Sequence, residues 1–268
     1  MPGHRKPWGL PNDDAAIDSL PFAAPTPVFF SRQTNTDHFD DCSRCFGAGN
    51  QSDSGGKAMT IVVTAAIALL SYLIGSISFA IIVSRLLAGD DVRRHGSGNA
   101  GMTNMLRTYG KGPATLTFLG DFFKAAVAIT LSRWLLARTG ITLPLDVGYV
   151  SGLCVLLGHL FPLYFHFKGG KGVASSLGII FCINPLVFAI IAVVFVPIVL
   201  ITRIVSLGSV LGALFYPFIT WLVVSRQGGS PWYDTISAAI IGGLLLVMHR
   251  DNIKRLLTGT ERRFGAKK

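Results

Sequence analysis

The residues best suited to chemistry lie in three polar stretches, each set against a long apolar run. The first, residues 93–107, reads RRHGSGNAGMTNMLR and concentrates glycines, hydroxyls, carboxamides and arginines. Its functional side chains are Ser97, Asn99, Thr103, Asn104 and Arg107, with Gly98 between the first two. Thr103 and Arg107 are four apart, so a helix places them on one face, where they can converge on one phosphate. A capped helix start with a solvated arginine is the alternative. In the second stretch, residues 158–176 (GHLFPLYFHFKGGKGVASS), Lys168 and Lys171 flank Gly169 and Gly170. The third, residues 249–261 (HRDNIKRLLTGTE), sets His249 and Asn252 one helical turn apart. Glycines let successive N–H groups approach an anion, a helix N-terminus adds positive potential, and Arg or Lys adds charge-assisted bonds. Three such stretches at one membrane face would make a site for phosphorylated ligands.

Two better-known nucleotide motifs are excluded. Residues 96–101 satisfy G-x-G-x-x-G, but a dinucleotide fingerprint needs a preceding strand and a whole βαβ unit, and DDVRRH leaves no room for one. Lys168-Gly-Gly-Lys-Gly172 lacks the spaced glycine and the Ser/Thr of a phosphate-binding P-loop. Asp121 and Lys124 form an i, i+3 pair inside an apolar run, where charge is functional by default and a structural ion pair is the alternative. His159 and His166 read as interfacial hydrogen-bonding residues at a membrane edge.

The elements that must position these stretches are membrane helices. Half of the 268 residues are apolar and 14% are charged, against about a quarter charged in soluble domains. No charge occurs over residues 58–84, 172–202 or 204–225, each longer than the roughly 18 residues that mark a crossing. Residues 113–136, 147–167 and 235–248 complete the set, and none shows the alternation of barrel strands. Asn184-Pro185 near the middle of 172–202 predicts two shorter helices joined by a turn. The expectation is an all-α integral membrane protein, a seven-helix bundle over residues 59–268. Arg85, Arg93, Arg94, Arg107, Lys111, Lys168, Lys171, Arg203 and the basic tail gather on one side, against Arg133, Arg138 and Arg226 on the other. The positive-inside tendency makes the rich side cytoplasmic, with all three polar stretches and the C-terminus there and the bundle's N-terminus outside.

Residues 1–58 are different material, rich in Pro, Gly, Ser, Asp and Asn, and read as a disordered extension; Met59 is an alternative start. The first 57 residues carry a net charge of −2, so the overall +10 belongs to the membrane part. Its basic charge suits phosphate and anionic lipid, not nucleic acid. Cys42 and Cys45 have the spacing of half a zinc site, with no second pair to complete it, and no metal is expected.

GSGNAGMTNMLR, GHLFPLYFHFKGGKGVASS and HRDNIKRLLTGTE resemble the three cytoplasmic motifs of the bacterial glycerol-3-phosphate acyltransferases that use acyl phosphate, the PlsY family, over residues 59–261. The resemblance implies acyl transfer from acyl phosphate to the sn-1 hydroxyl of glycerol 3-phosphate in the bacterial inner membrane. The products are 1-acylglycerol 3-phosphate and phosphate, the first acylation of phospholipid synthesis. It implies no cofactor, and a soluble acyl-phosphate-forming enzyme as a possible partner beside the bilayer. By the same resemblance Ser97, Asn99, Thr103 and Arg107 hold a substrate phosphate, Lys171 is the phosphate-binding lysine, and His249 and Asn252 contact glycerol 3-phosphate. Ser206 or Ser209 is the serine of the loop between spans, and Glu261 closes the third motif. The implied catalytic set is Ser97, Arg107, Lys171, His249 and Asn252; Gly98, Asn104, Lys168, Gly169 and Gly170 join the substrate-binding set. In the family a substrate phosphate oxygen is thought to take the hydroxyl proton, while the residues alone leave His249 as a rival base. A transporter of phosphorylated metabolites is the competing class, and it would require polar residues deep in several spans.

Overall fold

The computed structural model describes residues 53–264, and these are helical with no strand. Most of the expected N-terminal extension, Cys42 and Cys45 included, lies outside the described residues. Its last residues, 53–58, form the start of the first helix.

Apolar helices account for all seven expected segments. α1 (Asp53–Gly75) and α2 (Phe79–Ala88) share the first, and α3 (Met102–Tyr109) carries the first motif. α4 (Lys111–Thr139), α5 (Val147–Leu160), α6 (Val173–Ile183), α7 (Pro185–Thr202), α8 (Val205–Arg226) and α9 (Trp232–Met248) are the others, and α10 (Arg250–Leu257) follows a 65° bend. Among the described residues, five stretches are long and apolar enough to cross a membrane, and α9 with α10, taken as one bent span, makes a sixth. α6, at 11 residues, is about 16 Å long and cannot cross alone.

Between α6 and α7, Asn184 Oδ1 accepts hydrogen bonds from the amides of Leu186 and Val187, and Pro185 occupies the first helical position, where its missing N–H costs nothing. The two helices form a hairpin of unequal arms. α7 has 18 residues, so its far end overhangs the start of α6 by about 10 Å.

The first segment departs from expectation: the uninterrupted apolar run breaks at residues 76–78. A break in a span frees backbone carbonyls that lipid cannot satisfy. Here the Lys124 ammonium satisfies them, donating to Gly75 O at 2.9 Å and Ile77 O at 2.7 Å. It also reaches His159 Nδ1 at 3.0 Å and pairs with Asp121 Oδ1 at 2.9 Å. All three side chains are buried, so His159, one residue before the end of α5, makes its hydrogen bond inside the bundle. Close helix approach holds this region together. A Cβ on Gly75 would overlap the Val155 carbonyl, and one on Gly158 would overlap that of Tyr72, so α1 and α5 cross backbone to backbone. Ser71 Oγ, shared between Ser151 Oγ at 2.9 Å and Ser132 Oγ at 3.3 Å, ties α1, α5 and α4 together.

Lys124→Met should strand the Asp121 carboxylate and uncap the break, a loss of about 3–5 kcal/mol. The midpoint of thermal unfolding in detergent should fall well below wild type, and Asp121→Asn added to Lys124→Met should recover part of it. An unmoved midpoint would show that the brace is dispensable.

Candidate active site

The first loop is built around Asn104. Its buried carboxamide donates to the carbonyls of Val92, His95 and Asn99, each at 3.0 Å, and accepts from Ser97 N at 2.9 Å. Gly96 and Gly98 adopt φ of 60° and 70°, the left-handed conformation this tight wrap demands, and a Cβ on Gly96 would strike Asn104 Oδ1. Asn104 therefore spends its hydrogen-bonding capacity on the loop that presents Ser97 and Asn99, a different job from the substrate contact expected of it. Asp91 is the loop's second anchor. Its carboxylate accepts from Arg93 Nη2 at 2.7 Å and from Arg85 Nη2 at 3.2 Å, and the Arg93 guanidinium holds its pKa at about 2. Arg93 then donates to Phe165 O at 2.8 Å and Lys168 O at 3.0 Å, fastening the first loop to the second.

The second loop also corrects the sequence reading. The amides of Gly169 and Gly170 donate back to Leu160 O and His159 O, both at 3.2 Å, so they close α5 and do not point at an anion. Glycine is needed because a side chain at Gly170 would collide with the His159 ring and the Ala100 carbonyl. Lys168 is exposed and, like Gly98, Gly169 and Gly170, does not line the cavity. Lys171 does. Burial lowers its pKa from the usual lysine range, and its ammonium bonds to Asn252 Oδ1.

The bend at His249 aims the third loop inward. His249 Nδ1 lies 2.8 Å from Leu245 O; a carbonyl can only accept, so Nδ1 carries the proton and Nε2 of the neutral ring is free to accept. The ring is 4% exposed, and burial of this kind disfavours its charged form. Asn252 Nδ2 donates to Glu261 Oε1 at 2.9 Å, and Arg255 Nε donates to Glu261 Oε2 at 2.8 Å. Lys171, Asn252, Glu261 and Arg255 thus form one hydrogen-bonded chain. Both oxygens of Glu261 are occupied inside the protein, which makes it an organiser of cations and not a ligand for a second anion.

These loops close over one cavity of about 430 Å³. Its polar end holds Ser97, Asn99, Thr103, Arg107, Lys171 and His249, with Ser206 beside them. Asn104, Asn252, Glu261 and Ser209 also reach its wall. Arg107 is exposed at the cavity and has no hydrogen-bond or ion-pair partner among the described residues; partial burial lowers its pKa, and Glu261, Arg262 and Arg255 act on it only through longer-range charge. The structure separates the two candidate serines: Ser209 Oγ donates to Val205 O at 3.0 Å, whereas the buried Ser206 Oγ has no partner among the described residues. Arg255 and Arg262 also line the cavity and were missed from sequence; Arg255 stands three residues after Asn252, so the spacing on α10 was the available signal. The other end of the cavity is apolar, walled by Phe118, Leu177, Phe188, Phe195, Val196 and Val199.

A cationic seat opening into an apolar groove, inside a bundle of membrane-length helices, defines an integral membrane protein with a site of mixed polar and apolar character. The glycerol-3-phosphate acyltransferase family pattern matches residues 65–259. A glycerol-3-phosphate acyltransferase of Clostridioides difficile (strain 630) is 44% identical over 202 residues, 75% of this chain and 96% of that protein. One from Bordetella petrii is 43% identical over 215 residues, 79% and 98% of the two chains. Among solved structures, the integral membrane glycerol 3-phosphate acyltransferase PlsY (YgiH) in its glycerol 3-phosphate form is similar with a TM-score of 0.64 and 37% identity, covering 75% of this chain and 96% of that one. Its lysophosphatidic acid form gives 0.63 and 36%, over 75% and 95%. The chain belongs to the glycerol-3-phosphate acyltransferase family.

The unequal state of the two serines generates a test. Ser206→Ala should lower kcat/KM by roughly tenfold or more, the worth of a hydrogen bond to a charged ligand. Ser209→Ala should stay within about twofold, because it removes only a bond to the local backbone. The reverse order would reassign the free hydroxyl.

Proposed function

We propose that this protein transfers a fatty acyl group from acyl phosphate to the sn-1 hydroxyl of glycerol 3-phosphate. The hydroxyl oxygen attacks the acyl carbonyl, the ester C–O bond forms, the bond to the phosphate oxygen breaks, and inorganic phosphate leaves. The hydroxyl proton passes to a substrate phosphate oxygen. The observation that carries this reading is the single cavity with Arg107 and Lys171 at one end and a phenylalanine-lined groove at the other. It matches a donor that is itself an anion on a hydrocarbon chain. An acyl phosphate is already activated, so what the residues must do is hold two mutually repelling phosphates in register. Arg107 and Lys171 supply the positive charge, Ser97, Asn99 and Thr103 add polar contacts, and Ser206 offers its hydroxyl. Asn252 fixes Lys171 through the bond to its Oδ1. His249 Nε2 accepts from the acceptor's other hydroxyl, at sn-2, and so orients the sn-1 hydroxyl, whose proton stays available to the phosphate oxygen. The glycerol 3-phosphate and lysophosphatidic acid forms of the structural relative support both an acceptor and a product of this kind. We assign the acyltransferase unit to residues 59–268 and place it in the bacterial inner membrane, with the polar loops cytoplasmic, where a soluble enzyme can supply acyl phosphate.

Purified protein in detergent, given acyl phosphate and labelled glycerol 3-phosphate without coenzyme A or acyl carrier protein, should form lysophosphatidate. A requirement for either thioester would overturn the donor. Arg107→Ala and Lys171→Ala should each lower kcat/KM by at least about tenfold, since charge-assisted bonds are worth roughly 1.5–3 kcal/mol.

The pH profile separates the two roles of His249. As a base it must be neutral, so activity would fall as falling pH protonates the ring, and that limb would vanish in His249→Ala. In the proposed mechanism His249→Ala mainly raises the KM for glycerol 3-phosphate. The acid limb persists, because a phosphate monoester titrates near pH 6.

For orientation, single cysteines at Gly140 and Gly229, in a background free of the native ones, should label from outside with an impermeant reagent. Cysteines at Lys111 and Arg203 should not.

A further inference from the structure

The apolar groove has a floor. On α4 the cavity is lined by Phe118 but not by Phe122, one turn further on; on α6 it is lined by Leu177 but not by Phe181, again one turn further. On α7, which runs the opposite way, the lining descends through Val199, Phe195 and Ala192 and ends at Phe188. The three phenylalanines at which the lining stops meet one another. Phe181 and Phe188 have ring centroids 5.3 Å apart at 79°, Phe122 and Phe181 5.7 Å apart at 47°, and Phe122 and Phe188 6.3 Å apart at 65°. These are favourable edge and tilted contacts that lock each ring against the other two. Three helices thus contribute one ring each, at one depth, to a single aromatic plug.

Resting on the reading of the site as an acyl-phosphate-dependent acyltransferase, we propose that the Phe122–Phe181–Phe188 cluster is the ruler that sets acyl-chain length, with Phe188 its working face. The groove runs along α7 from Val199 to Phe188, which at 1.5 Å per residue is about 16 Å. A chain advancing ~1.3 Å per methylene, from C–C bonds of about 1.5 Å, places roughly a dozen methylenes before it meets the plug. Beyond that length the chain must displace a ring or bend out between α4 and α7. Short of it, each missing methylene leaves groove surface uncovered, and one methylene in an apolar pocket discriminates by about 10-fold or more.

The test uses a series of acyl phosphates of increasing chain length with full-length protein, read as the ratio of kcat/KM for long over short donors. Loss of folded protein cancels in that ratio. Phe188→Ala should raise it at least about tenfold and Phe188→Leu by less. Ala192→Phe, which builds a floor one turn nearer the polar end, should lower it by a similar factor. Movement in opposite directions is what a ruler requires. If the profile is the same in wild type and all three variants, the ruler is wrong while the reaction stands. If wild type transfers no acyl group from any donor in the series, it is the proposed reaction that fails.

Discussion

One buried ammonium organises this molecule. Lys124 sits inside a membrane helix with its charge balanced by Asp121 and its protons taken by Gly75 O, Ile77 O and His159 Nδ1. An unpaired charge at that depth would cost several kcal/mol, so the four partners must arrive together. Each carries a piece of the site with it. The carbonyls belong to the break that turns α1 into α2 and so leads into the first loop. The His159 carbonyl holds Gly170, next to Lys171, and the carboxylate of Asp121 reaches the cavity wall. Removing the ammonium would therefore loosen two loops that it does not touch.

Around the cavity the same economy recurs in milder form. Of the polar residues at its edge, several have no capacity left for a ligand: Asn104 is consumed by four backbone groups, and Glu261 by Asn252 and Arg255. They preorganise the groups that are still free, Arg107, the Ser206 hydroxyl and His249 Nε2. A carboxylate among cations looks counterproductive in an anion site. Placed at the rim, it spaces Arg255 and Lys171 and relieves the mutual repulsion of the cationic cluster before any anion enters.

Much of this was legible in the sequence. Apolar runs located every apolar helix, even the one that carries Asp121 and Lys124, Asn184-Pro185 located the α6–α7 turn, and the three polar stretches do meet at one cavity. What escaped has physical causes. The break at residues 76–78 contains no proline or charge, because the group that stabilises it, Lys124, lies on another helix. Gly169 and Gly170 read as an anion cradle because composition reveals that an N–H is available but not where it points; here α5 takes both. Asn104 and Glu261 have the chemistry of ligands, and only the tertiary hydrogen bonds show that chemistry already spent. Phe122, Phe181 and Phe188 were invisible for a different reason: an aromatic ring in an apolar span offers no contrast from which a pattern could be read.

α7 differs from every other wall of the cavity. From residue 186 to 201 it has no polar side chain, and only Val187 and Ile191 are buried. The phosphate end, by contrast, is tied by directional bonds among Lys171, Asn252, Glu261 and Arg255. Bilayer thickness and lateral pressure act on helices through apolar contact and tilt, and a wall held by dispersion alone yields to them before a hydrogen-bonded one does. Lipid order thus acts on the hydrocarbon half of the cavity while leaving its anion seat in place. Under the proposed reaction the surrounding membrane, whose lipids would be made from the product, would share in determining which chains enter the groove.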